Sequence, residues 1–453
     1  MTAGHLLYSK DPPQGRTLRR VFCLQCVPSQ LCQETIEPRA AGSLQQGMDK
    51  TDTSRNTDIE VLRAVAISFT LCAHLIWGLL PKIGSLGLKL QSMLRFWTGV
   101  DLFFGISGFI ITCSLIKIMQ EENPATGTAR TRGWRKFFEV AIPFWIRRVF
   151  RLLPSAWLWI FITLLLAATF NFHASFGTLR DNLHEAGAAV LNFSNFYYYE
   201  WFAKNNPNYG SFGVYWSLSL EEQFYLVLPF LLFFVRRRFL IPALLAAFVA
   251  QALLPRPDGF DPHHTSLLWF VRTDALILGV LIAFWKQHPS YRFSEPCFLR
   301  HGYFSFPLVS LCVLLLATVP ASREVAPVST GLLAIISGGL VLIASHDKNY
   351  ILRPSRFKAA MVWLGSRSYS IYLIHVTCYS LIMELKKSAG IAEGSMASVA
   401  LTLACIPIIL LVAEANFRLI ETRFRRMGRC LADGFSLKLS DKRLIGRSQL
   451  VTD

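Results

Sequence analysis

The sequence predicts an all-α protein, a bundle of about ten helices that cross a lipid bilayer. Three observations carry this. Of 453 residues, 53% are hydrophobic, with 35 Phe and 11 Trp, and the mean hydropathy is +0.39. A soluble chain of this length needs polar surface for two or three domains, and too little is present. Apolar stretches near the ~20 residues that a helix needs to span a bilayer recur along the chain, whereas the short alternating segments of a membrane barrel are missing.

Residues 1–57 are polar and hold no apolar core of a signal peptide, so they predict neither a cleaved leader nor a span. Met48 stands close before the first apolar stretch, and we read it as the natural start, with 1–47 a mis-assigned leader; a disordered cytoplasmic tail is the alternative. Cys23, Cys26 and Cys32 form "CLQC" plus one more. Zinc sites usually take four ligands in paired clusters, so these read as incidental cysteines, and no metal is expected.

Hydropathy then places spans at about 59–80, 96–118, 143–170, 216–235, 239–254, 265–285, 303–320, 327–345, 361–384 and 396–418. The third is long enough to tilt or to begin along the interface. The sixth is interrupted by charge in "RTDALILG". The stretch 179–200 is moderately apolar and reads as an interfacial helix, its Tyr and Trp at headgroup level. With the N-terminus inside, the four inner loops hold 14 Lys and Arg, and the five longer outer loops hold nine. Both ends are therefore expected in the cytoplasm. The transmembrane domain covers 58–420, and 421–453 is a basic cytoplasmic tail. The net charge of +17 suits anionic lipid headgroups, and no aromatic-basic module points to nucleic acid.

Ionisable residues inside these spans are candidates for function. In "RAVAISFTLCAH", Arg63 and His74 are eleven residues apart. On a regular helix they share a face, ~16 Å apart along the axis. Arg63 sits near one end, where an arginine can snorkel. His74 lies deep, either as a catalytic group or as interhelical glue. "GVDLFFGISGFIIT" brings in Asp101 at a boundary, with Gly105 and Gly108 read as packing residues. "FWIRRVFRLLP" sets Arg147, Arg148 and Arg151 within one turn and a half, which points to a polyanion site because guanidinium forks pair well with phosphate. "YWSLSLEEQFYLVLPF" carries Trp216, Ser217 and Tyr225 around two acids, Glu221 and Glu222. An acid near mid-bilayer costs about 3 kcal/mol unless paired. The two point ~100° apart and so serve different partners, with arginines on neighbouring helices the expected ones. "RTDALILG" adds Arg272 and Asp274. In "LGSRSYSIYLIH", Ser368, Tyr372 and His375 form one polar stripe, and His375 reads as core glue or a second base.

Together these segments, with "DIEVLRA" before and "EANFRLIETRFRR" after them, resemble the acyltransferase-3 family of membrane O-acyltransferases in order and spacing across about 55–425. The resemblance implies a ten-span enzyme of the bacterial cytoplasmic membrane. It would move an acyl group, most often acetyl, from cytoplasmic acyl-CoA to a hydroxyl of a cell-surface glycan or similar acceptor, alone or with partner proteins of a polysaccharide pathway. The family's Arg-x10-His falls on Arg63 and His74, and its Arg-x-x-Arg on Arg148 and Arg151. Gly105 stands where the family carries a bulkier residue. Many members add a C-terminal hydrolase-type domain, whereas this sequence ends about 35 residues after its last span. Transfer is then expected to finish in the membrane domain or on a separate protein.

On this reading Arg63, Arg147, Arg148 and Arg151 bind the donor, and His74 acts as base from an ordinary pKa of about 6.5. Glu222 is a catalytic acid that Arg63 can orient. Asp101, Trp216, Ser217, Glu221, Tyr225, Asp274, Tyr372 and His375 serve substrate or structure. A transporter or flippase of a lipid-linked glycan is the other reading, although no internal repeat supports it.

Overall fold

The computed structural model describes residues 56–76, 84–121, 133–204, 210–256, 266–321 and 328–449. The expectations for 1–47 and for Cys23, Cys26 and Cys32 lie outside them. The described chain is helical. Seven stretches are long and apolar enough to cross a membrane: Thr57–Ile76, Ser85–Gln120, Trp134–Thr169, Tyr215–Phe234, Leu267–Lys286, Tyr303–Ala321 and Met396–Phe435. The other three expected spans are helices as well, in Arg237–Leu253, Ser329–Ser345 and Ser368–Ser388. Two are 17 residues long, which at 1.5 Å per residue is about 25 Å, short of a full ~30 Å hydrocarbon core.

The central helix is α1, Thr57–Leu71. Asn56 caps it by accepting from the Ile59 amide at 2.9 Å, and its own amide nitrogen donates to the Ala344 carbonyl at 2.7 Å. Asp58 is buried and holds Lys358 Nζ at 2.7 Å and the Tyr350 amide at 2.9 Å. Such fastening compensates a carboxylate that burial would otherwise penalise. After Leu71 the helix widens into a π-turn over Cys72–Ile76, a form that occurs mostly as single turns and often at functional sites.

Around α1 pack α3 (Gly99–Glu121), α12 (Ser329–Ser345), α13 (Arg356–Ser366) and α14 (Ser368–Ser388). The ninth expected span, 361–384, is thus two helices that break at Arg367, which pairs with Glu414 at 2.7 Å. The sixth breaks at its charged residues into α9 (Leu267–Phe270) and α10 (Asp274–Lys286). The third is α4, Trp134–Thr169, a single 36-residue helix. The stretch 179–200 forms two short helices, α5 (Leu179–Val190) and α6 (Ser194–Ala203), neither long enough to cross. The elements between these are α2 (Ser85–Met93), α7 (Tyr215–Phe234), α8 (Arg237–Leu253) and α11 (Gly302–Thr318), followed by α15 (Met396–Asn416). The basic tail begins as α16 (Thr422–Gln449), which lies against α4.

Helices α3 and α10 meet backbone to backbone through small residues, the usual way for membrane helices to come close. A methyl group on Gly108 would collide with the Leu276 carbonyl, whereas one on Gly105 would meet nothing closer than Val341 at 3.6 Å. Gly108→Ala is therefore expected to cost about 1–3 kcal/mol by overpacking, with Gly105→Ala close to neutral. Thermal melting of the purified protein in detergent checks the pair, and equal melting temperatures would contradict it. The same geometry shows that the alanine-sized space at Gly105 is left open.

Candidate functional site

Two cavities lie inside the bundle, and they share Val100 and Tyr372 in their walls. The first is lined by Arg63 of α1, Arg148 and Arg151 of α4, and Glu221 and Tyr225 of α7, with Ser107, Ser217 and Ser368 among its hydroxyls. Three guanidiniums face one carboxylate there. Two of them, Arg63 and Arg148, have defined contacts. Arg63 Nε donates to Ser368 Oγ at 3.2 Å, and its Nη1 lies 3.8 Å from Glu60. The Arg148 guanidinium lies 5.7 Å from the Tyr225 ring centre and 5.8 Å from that of Phe144, a cation–π arrangement. Glu221 accepts from the Ser107 hydroxyl at 2.7 Å and from the Tyr225 hydroxyl at 3.0 Å.

The second cavity contains His74 and is bounded by aromatic rings, including Trp97, Tyr198, Trp201, Phe202 and Trp216. His74 exposes its side chain although its neighbour Leu75 is buried. The described lining holds two guanidiniums, Arg95 and Arg272, and no carboxylate. One wall is the loop 210–214, fastened to α5. Glu185 accepts from the Gly210 amide at 2.6 Å and from the Phe212 amide at 3.1 Å, and Asn182 accepts from the Ser211 amide at 3.0 Å. Burial raises the Glu185 carboxyl above its usual range, against the pull of those amides.

Asp101 and Asp274 stand in the wall behind this cavity. Asp101 takes Arg272 through a fork, with Nε at 3.0 Å and Nη2 at 3.2 Å. Asp274 takes Arg256 at 2.6 Å. All four side chains are essentially inaccessible, so two buried charges of each sign neutralise one another, as burial demands. The Arg272 guanidinium lies among three tryptophans, 4.1 Å from the Trp269 ring centre, 5.0 Å from Trp216 and 5.1 Å from Trp97.

Tyr372 belongs to both cavities. Its hydroxyl is 2.6 Å from Ser217 Oγ and donates to the Val214 carbonyl at 3.1 Å. His375 is fully buried one turn further on, its ring centre 5.0 Å from that of His74.

The sequence-predicted residues thus divide. Arg63, Arg148, Arg151, Glu221, Ser217 and Tyr225 meet at the first cavity, and His74 and Trp216 at the second. Arg147 lies outside both and pairs with Asp433 of α16 at 2.8 Å; successive residues on a helix point ~100° apart, so it diverges from Arg148. Glu222 lines neither cavity and is half-buried. The hydrogen bonds of Glu221 come from hydroxyls instead of the arginines expected from sequence. Sequence reasoning missed Ser107, which holds Glu221, and the partnership of Arg272 with Asp101. The first had a signal in the serine of "GISGF", and the second in the arginine of "RTDALILG".

Comparison with known proteins identifies the family. The acyltransferase-3 family, described as an acyltransferase domain, matches residues 56–414. The protein YrhL of Bacillus subtilis (strain 168) is 28% identical over 359 residues, 73% of this chain and 50% of its own length. Peptidoglycan O-acetyltransferase OatA of Listeria monocytogenes is 29% identical over 353 residues, 73% of this chain and 51% of its own. The chain therefore spans about half the length of the curated relatives it matches. No solved structure gives a significant match. A family match that runs from the first turn of α1 to the last turn of α15, and so encloses both cavities, makes this membrane-embedded chain a member of the acyltransferase-3 family.

Proposed function

We propose that the chain is an O-acetyltransferase that takes acetyl from acetyl-CoA at the arginine-lined cavity and delivers it to a glycan hydroxyl at the histidine-lined one. The observation that carries this reading is the shared wall. A cationic chamber and a chamber with a single exposed imidazole touch at Val100 and Tyr372. An anionic donor with a long thin thioester arm needs such a pair of spaces, its phosphates in one and its reactive end at the boundary of the other.

Arg148 and Arg151 take the donor phosphates through charge-assisted hydrogen bonds. Arg63, held by Ser368, steadies the arm. The acceptor hydroxyl enters the aromatic cavity, whose rings offer faces for sugars to stack on. His74 removes the hydroxyl proton as the oxygen attacks the thioester carbonyl carbon. The new C–O bond forms, the C–S bond breaks, and the departing thiolate takes the proton back from His74. Atoms and charge balance, with ester and free coenzyme A as products. The lysine and arginine bias between loops supports a cytoplasmic location for both termini and for the donor side. The peptidoglycan O-acetyltransferase activity in the name of the Listeria relative supports a cell-wall or other surface glycan as acceptor.

The test compares surface glycans from cells with and without the gene by mass spectrometry. One component is expected to carry an added acetyl group only when the gene is present. Identical glycan spectra, together with no acetyl-CoA-dependent release of thiol by the purified protein, would overturn the proposal.

A further inference from the structure

We infer that His375 is a positioning residue for His74: it accepts a hydrogen bond from the His74 ring and so sets which nitrogen of His74 faces the acceptor. The inference rests on the role proposed for His74 and begins from hydrogen-bond accounting. His375 is 0% exposed. Its Nδ1 lies 2.8 Å from the Tyr372 carbonyl oxygen and 3.2 Å from that of Ile371. A carbonyl oxygen only accepts, so Nδ1 carries the proton, and in the neutral ring Nε2 is left with a lone pair. That Nε2 is buried and has no hydrogen-bond partner among the described residues. A buried acceptor in this state pays its full desolvation penalty.

The group in position to occupy it is His74. Two imidazoles joined edge to edge by an N–H···N bond of about 2.9 Å, each nitrogen roughly 1.1 Å from its ring centre, have centres about 5.1 Å apart. The observed separation is 5.0 Å, with the rings tilted by 59°. The spacing is thus already that of a direct hydrogen bond, and rotation of the His74 ring completes it. His74 sits in the π-turn, and Ala73, beside it in the chain, also lines the cavity, so the ring has room to turn.

The consequence is chemical. With one His74 nitrogen donating to His375, the other is obliged to carry the lone pair, and this is the nitrogen that takes the acceptor's proton. When it does, the resulting imidazolium keeps its hydrogen bond to His375 Nε2. A neutral histidine thereby performs the orienting task that a carboxylate performs beside many catalytic histidines, in a cavity whose described lining holds no carboxylate. The backbone carbonyls of Ile371 and Tyr372 belong to the same helix as His375, so its tautomer is fixed by α14 itself.

The test uses the full chain in lipid nanodiscs and two substitutions that a structural role would rank the other way. His375→Leu removes the acceptor but suits an apolar interior. His375→Gln restores an acceptor oxygen near the Nε2 position at the cost of burying an amide. The inference predicts that His375→Leu lowers kcat about 10- to 100-fold, the range for loss of an orienting partner, with KM for both substrates within about twofold, and that His375→Gln recovers most of the loss. A packing role predicts that leucine is better tolerated than glutamine, and that order, or equal kcat in both, overturns the inference. A second measurement needs no variant. ¹⁵N spectra of histidine-labelled wild-type protein are expected to show His375 protonated at Nδ1 and one His74 nitrogen coupled to it; an Nε2-protonated His375 overturns the inference even if no acetyl transfer is ever detected. Conversely, loss of the proposed acceptor chemistry with this coupling intact would count against the function and not against the pairing.

Discussion

Replacing His74 by alanine is expected to reduce acetyl transfer by about 10²–10⁴-fold, the range that a positioned general base contributes. His74 is the one ionisable side chain in the described lining of its cavity, apart from tyrosines, that is not already a guanidinium. Arginine keeps its proton under all ordinary conditions and cannot act as base. Of the tyrosines there, Tyr372 is committed: its hydroxyl donates to the Val214 carbonyl. The loss should appear in kcat, with the donor KM little changed, because the proposal puts the donor phosphates in the other cavity. His74→Ala should also fold normally. His74 is exposed within its cavity and lies in the π-turn that follows α1, so no packed core is opened. Steady-state kinetics with acetyl-CoA in nanodiscs, alongside a melting curve, make the check. A variant that melts like the wild type and transfers acetyl at an unreduced rate would remove His74 from the mechanism.

The parts of this site that could be read from sequence are those where a charge interrupts an apolar helix. Arg63, His74, Arg148 and Arg151 are conspicuous because an ionisable group inside a span is expensive, and the structure gathers the three arginines at one cavity. What could not be read is how faces meet between helices. Arg147, Arg148 and Arg151 are equally basic, yet only the rotation of α4 decides which of them turn inward. Glu221 and Glu222 are adjacent in sequence, and the hydroxyls of Ser107 and Tyr225 select the first. The regular-helix rule placed Arg63 and His74 on one face, but Cys72–Ile76 is a π-turn, so the 100° step does not continue to His74. They line different cavities that share a wall. The helix break at Arg367 was equally hidden. Arg367 pairs there with Glu414, 47 residues away, and no local signal in "LGSRSYS" announces a partner at that distance. Composition fixes that the chain enters the bilayer; the pairing of buried polar groups decides what it does there.

Arg148 and Arg151 carry the second large effect, and it should fall on the donor alone. Hydrogen bonds to charged groups contribute about 1.5–3 kcal/mol each, which is roughly a 10- to 150-fold change in affinity. Arg148→Gln or Arg151→Gln is accordingly expected to raise KM for acetyl-CoA by about that factor. Lysine should rescue only in part, since it supplies a point charge where the planar fork offers two parallel donors. Arg147→Gln is the internal comparison. Its guanidinium faces Asp433 with a third of its surface open, and an exposed ion pair of that kind contributes at most about 1 kcal/mol. If the arginine run acted simply as a patch of positive charge, the three variants would behave alike and rising salt would weaken donor binding equally in all. If the cavity grips phosphate through defined contacts, Arg147→Gln keeps the wild-type donor KM while the other two lose it. Isothermal titration with coenzyme A gives the same comparison without turnover. Equal affinities across the three variants would place the donor somewhere other than the cavity that Arg63, Arg148 and Arg151 line.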